Sequence, residues 1–146
     1  MRTLWALLGS AVLVTGCSAG SPSVGEATSA TCEPAPGWLV DEVQRTITTA
    51  GATIERALVV PAGKIQSGPP DVLGPDFADA RLFVGIITGG DAADETAIWI
   101  TNGTAADDRG LILAVSAAAR RLSNWGADVQ QDIAAEGEIA ARHCVE

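Results

Sequence analysis

The chain has 146 residues, with 18 acids against nine bases and a formal net charge of −9. That is enough length for one domain with its own core. A surface this acidic is repelled by nucleic acid and by anionic lipid, so nucleic-acid binding is not expected.

Met1-Arg2-Thr3 supplies one positive charge and no acid, and residues 4–14 are apolar apart from Gly9 and Ser10. A run of about 11 residues suits the apolar core of a secretory signal. A helix that crosses a bilayer needs about 20. The run ends in Val14-Thr15-Gly16-Cys17. These four residues resemble the bacterial lipobox: an aliphatic residue (Leu is commoner there than Val), a small one, Gly or Ala, then a cysteine. The resemblance implies cleavage before Cys17 and a diacylglyceryl group on its thiol. The protein would then be held at the cell membrane, on the extracytoplasmic face. It divides the chain into a signal peptide (1–16), a lipidated tether (17–31) and one domain (32–146). At about 0.8 kcal/mol per buried CH₂, two acyl chains hold a small domain where one binds only reversibly.

Residues 18–31 are almost all small or polar. As a random coil of about 14 residues they span roughly 20 Å. Residues 32–37 (Cys-Glu-Pro-Ala-Pro-Gly) make a stiff entry into the domain. From Trp38, Leu39, Val43 and Ile47 recur every four residues, with Asp41, Glu42, Gln44 and Arg45 between them. That spacing predicts an amphipathic helix closing at Ala50-Gly51, with its early acids favoured by the helix dipole.

Residues 53–60 are β-rich and stop at Pro61, which predicts a strand. Arg56 there shares a face with Ile54, Leu58 and Val60, so either Arg56 lies at an edge or the other face is the buried one. Residues 61–79 hold four prolines and several glycines and are expected to form no regular element. Residues 81–88 are the most apolar stretch beyond the signal and predict a central strand. Gly89-Gly90-Asp91 turns the chain into an alternating strand at 96–101. A connection that short permits an antiparallel hairpin and no parallel crossover. Asn102-Gly103 starts another turn, 110–115 a further strand, and Ser116 can cap a helix running to about Trp125 and stopped by Gly126. Residues 129–143 predict a last helix, with Gly137 as a weak point. This order predicts an α+β fold: an antiparallel three- to four-stranded meander with the N-terminal helix and the C-terminal helices packed on one face.

The cysteines are Cys17, Cys32 and Cys144. With Cys17 lipidated, an even pair remains in an exported chain, which favours a Cys32–Cys144 disulfide. Two free thiols, or a metal held by both cysteines and His143, are the alternatives. The metal site lacks a fourth ligand at a sensible spacing.

Nothing else in the chain assembles a reactive set. His143 is the only histidine, and it suits a solvated last helix turn better than a catalytic triad. The sequence carries no His-Glu-x-x-His, no EF-hand loop and no dinucleotide fingerprint. No catalytic residue, metal or cofactor is therefore expected. Asn102-Gly103-Thr104 fits a glycosylation sequon, but beneath a bacterial lipobox it reads as a turn. Trp38, Trp99 and Trp125 are expected to pack as one cluster between sheet and helices. Trp99 and Trp125, with Arg120 and Arg121, are the candidate contact residues should any prove exposed.

The order of lipobox, Ser/Gly/Pro tether, Trp-containing strand and Ser-Asn-Trp-Gly helix end also resembles small uncharacterised lipoproteins of high-GC bacteria. That group implies no activity. The expected function is a non-enzymatic envelope lipoprotein, a binding or accessory module whose partner is an envelope protein or a small ligand. The alternatives are a hydrolase using carboxylates such as Asp76, Asp79, Asp91, Asp94 and Glu95, and a structural envelope spacer.

Overall fold

The computed structural model describes residues 31–67, 73, 77–92, 94–125 and 133–146. The expected signal, Cys17, the tether up to residue 30, Asp76, Gly126 and the start of the expected last helix lie outside the described residues. In chain order the elements are β1 (Glu33–Pro34), α1 (Gly37–Thr46), β2 (Thr53–Pro61), β3 (Ile65–Ser67), β4 (Arg81–Thr88), β5 (Glu95–Thr101), β6 (Ile112–Ala114), α2 (Ala117–Leu122), β7 (Ile133–Ala135) and α3 (Glu138–Val145).

The fold is α+β. One antiparallel sheet runs β1-β2-β4-β5-β6, and β3 pairs with β7 in a separate two-stranded ribbon. The expected meander is β2-β4-β5-β6, to which the two-residue β1 adds a fifth strand. Pro34 is tolerated there because β1 is an edge strand, where a missing N–H can face outward.

Arg56 marks a bulge. Ile54 pairs with Ile87 and Arg56 with Ile86, so Glu55 is the extra residue. An inserted residue moves everything beyond it to the opposite face. Ile54 therefore packs with Val59 on one side of the sheet, while Leu58 and Val60 pack on the other. Arg56 stays exposed. Of the two alternatives posed by the bare alternation, the edge holds, because β1 pairs only with Leu58 and Val59 and leaves β2 uncovered at Arg56; the other fails, because both faces are covered.

That double burial corrects the expectation that all helices share one face. Leu39 and Val43 of α1, and Ala119 and Leu122 of α2, pack with Phe83, Ala97, Trp99 and Ala114 on one side. Ala141 and Val145 of α3, with Ile133 and Ala135 of β7, pack with Leu82, Val84, Ile98 and Ile100 on the other. The central strands β4 and β5 are apolar at consecutive positions, so each face of the sheet needs its own cover.

Further expectations change. First, α1 ends at Thr46, well before Ala50-Gly51, because Ile47 leaves the helix to bridge Ser123. Because α1 starts at Gly37, Asp41 and Glu42 fall outside its first turn, which holds no acid. Gly51 serves the turn that follows, at φ +77°, where the β4–β5 turn stacks on it: a Cβ on Gly89 would lie 2.4 Å from the Gly51 carbonyl oxygen. Second, residues 61–79 do contain a regular element, β3, whose partner β7 lies 70 residues downstream by register, Ile65 opposite Ala135. Third, residues 133–135 are a strand and not part of the last helix, which begins only at Glu138. Gly137 separates them at a close backbone approach: a Cβ there would come within 2.3 Å of the Pro61 carbonyl oxygen. α2 is also shorter than expected, ending at Leu122.

Ser116 joins sheet to helix. Its Oγ accepts from Ala119 N at 3.1 Å as the α2 cap, and from Ile98 N at 3.0 Å in the central strand. Both donors are buried. Replacing Ser116 by Ala leaves two of them unpaired and is expected to cost about 2–3 kcal/mol. Urea unfolding measures this directly; a midpoint equal to the parent's would refute the double role.

Candidate functional site

The chemistry-bearing residues lie in three places, and the sheet keeps them apart. The first is the β4–β5 turn. Asp91 and Asp94 are exposed there, and Asp94 takes a positive φ of 46°. Glu95, at the start of β5, is bound by Arg121 of α2. That hydrogen bond, with the attraction between the charges, raises the Arg121 pKa above its ordinary value. So Arg121 is already partnered, and Glu95 is not a free carboxylate.

The second is the β5–β6 connection, residues 102–111, at the opposite end of β5. Arg109 Nη1 donates to Glu42 Oε2 of α1 at 2.6 Å, and Arg45 binds the same carboxylate. Asp108 Oδ2 accepts from Thr104 Oγ1 at 2.7 Å. Asp107, Asp108 and the first acidic turn therefore cannot meet in one cleft, as the hairpin topology requires. Asp79 is exposed in the segment before β4. Exposed pairs such as these are worth only about 0–1 kcal/mol each, and they orient the connection more than they hold it.

The third is the tryptophan layer. Trp99 is fully buried. It meets Phe83 edge-on, with ring centroids 5.7 Å apart and planes at 65°, and its Nε1 donates to Ser123 Oγ at 3.1 Å. Ser123 Oγ in turn donates to Ala119 O at 2.7 Å. Trp38 and Trp125 are half-buried against the same cluster. The three tryptophans do form one cluster between sheet and helices, and Trp99 is corrected from candidate contact to core. Leu73 and Phe77, from the 61–79 segment, belong to the opposite face, so the tryptophan layer does not border them. Arg120 is half-buried and its Nε donates to Ala114 O at 3.5 Å. It covers a carbonyl of the edge strand β6, an edge that would otherwise stand open to pairing.

The cysteines close the domain. Cys32 and Cys144 form a disulfide with Cα atoms 5.9 Å apart across a sequence separation of 112. Every described strand and helix thus lies within or at the end of one covalent loop. His143, beside it, is exposed and its Nδ1 lies 2.9 Å from Glu146 Oε2. Among the described residues no three His, Cys, Asp or Glu side chains cluster as a metal site, and no helix is long and apolar enough to cross a membrane.

Two ties escape a reading of the sequence. Gln44 Nε2 donates to Ala52 O at 3.0 Å while its Oε1 accepts from Ile54 N at 2.8 Å, so one side chain fixes α1 to the start of β2. Glu42 reaches across 67 residues to Arg109. A polar residue on a helix face carries no local mark of such a partner.

Fold and geometry together define a class: a small three-layer α+β domain, covalently closed at its ends. No protein-family model matches the chain, and neither a curated protein nor a solved structure matches it.

Proposed function

We propose that the chain is a lipid-anchored envelope protein whose domain, residues 32–146, acts as a non-enzymatic binding or accessory module on the extracytoplasmic face. The observation that carries this reading is the cysteine count. The bridge takes Cys32 and Cys144, and the cysteine left over is the one that ends Val14-Thr15-Gly16-Cys17. A disulfide across the ends of the domain also belongs to an oxidising compartment. The distribution of the carboxylates, two exposed in one turn and others at the far end of β5, supports a binding role over a hydrolase.

The anchor is testable apart from the partner. Cys17→Ala should move the protein from the membrane fraction to the soluble fraction and abolish labelling by a clickable fatty acid. A variant that stays with the membrane and keeps its label would end the proposal. Photocrosslinking in intact cells from Trp125 and Asp91 positions would then identify the partner class.

A further inference from the structure

We infer that Asn102-Gly103 is a latent succinimide-forming site that the fold holds shut, with the Thr101 hydroxyl as its latch. In an Asn-Gly pair the missing Cβ lets the backbone nitrogen of the glycine approach the asparagine Cγ. After losing its proton, Gly103 N would bond to Asn102 Cγ. The Cγ–Nδ2 bond would break, and the nitrogen would leave with that proton as ammonia. Water then opens the ring at either carbonyl, giving Asp or isoaspartate. The second product threads the backbone through the former side-chain carbon, one methylene longer.

The folded chain blocks the first step in several ways. Gly103 N donates to Thr101 Oγ1 at 2.9 Å, and Thr101 is fully buried, so the attacking nitrogen is already bonded. Asn102 Oδ1 accepts from Leu111 N at 2.7 Å, which fixes the side chain across the connection. Arg81 Nη2 donates to Gly103 O at 3.1 Å, so the peptide groups on both sides of Gly103 are held. Gly103 has no room to turn. A Cβ on it would lie 2.0 Å from the Arg109 carbonyl oxygen, and one on Gly110, at φ +60°, would lie 2.3 Å from Asn102 Oδ1.

The same contacts explain why so reactive a dipeptide stands here. Asn102 closes the connection through Leu111, and only glycine at 103 admits the Arg109 backbone. In the unfolded chain every restraint is gone while the dipeptide remains. An isoaspartate formed there lengthens the backbone where the refolded connection has no space, so prolonged unfolding becomes irreversible.

The test is peptide mapping by mass spectrometry, with isoaspartate resolved from aspartate, after incubation of the purified protein at mildly alkaline pH. Native protein should keep Asn102, and reduced, urea-unfolded protein should lose it. Thr101→Val removes the acceptor and should deamidate roughly tenfold faster than the parent, the rate equivalent of one such hydrogen bond. Thr101→Ser keeps the acceptor and should behave as the parent does. Ser123→Ala, which loosens the core away from this connection, controls for global opening and should also leave Asn102 intact. Should Thr101→Val fail to fold, Arg81→Met at the half-buried Gly103 carbonyl contact makes the same comparison. The inference is overturned if native and unfolded protein deamidate alike, or if the latch variant is no faster than Ser123→Ala.

Discussion

A protein with Cys32 and Cys144 both replaced by Ser is expected to lose about 4 kcal/mol of unfolding free energy. The bridge spans a sequence separation of 112, and the chain-entropy treatment gives about 4–5 kcal/mol for a loop near that length. Engineered bridges often return less than this figure, but here both ends are native. Cys144 packs half-buried against the α3 side of the core, with Ala141 and Val145 of the same helix fully or nearly fully buried beside it. Cys32 precedes a β1 that pairs with β2 through only Glu33 and Pro34. Without the bond, little would hold that edge. Urea unfolding of oxidised parent and double variant gives both the midpoint and the slope. The slope should rise, because an unbridged denatured chain exposes more surface. A loss under about 1 kcal/mol with an unchanged slope would show that packing alone closes the domain.

Trp99→Ala should be comparably damaging, at about 3–5 kcal/mol. Trp99 is fully buried in β5, opposite Phe83 of β4, and it lies beneath the α1 and α2 layer. Truncation removes the largest side chain of that face and the edge-on contact with Phe83. Trp99→Phe should cost less, because it keeps most of the apolar bulk and loses the bond to Ser123. Ser123→Ala leaves the indole N–H buried and unpaired, at an expected cost of about 1–3 kcal/mol. Combining the two substitutions should cost less than their separate losses, since the variants share one hydrogen bond. The readout is equilibrium unfolding of the parent and all four variants. Strict additivity, or a Trp99→Ala loss within about 1 kcal/mol of zero, would rule out this packing account.

Much of the sheet could be read from residue order. Residues 81–88 are apolar at nearly every position and became β4, and the short polar break after them required the antiparallel hairpin with β5. The helix around Leu39 and Val43 was equally plain, because both buried positions recur at helical spacing. Residues 133–135 were not. A three-residue segment of Ile and Ala suits a helix as well as a strand, and only pairing with β3 makes it a strand. That partner sits in a proline- and glycine-rich stretch that shows no strand pattern of its own. The candidate contacts divided for the same reason. Trp99, Arg120 and Arg121 were plausible surface groups until neighbouring elements supplied a core, the Ala114 carbonyl and Glu95 for them.

By itself, the sequence determined the central strands, the antiparallel connectivity and the α+β class. These follow from apolar runs and turn residues, both of them local properties. The tertiary structure alone decided which helix covers which face, through the bulge at Glu55 and the double-sided burial of β4 and β5. It also decided that Ile133 to Ala135 extend, that Trp99 is core, and that Gly103 must be glycine. Each of these depends on what a residue meets from another part of the chain, from six residues away at Gly103 to 70 between β3 and β7, and periodicity records only what a segment offers, not what arrives to meet it.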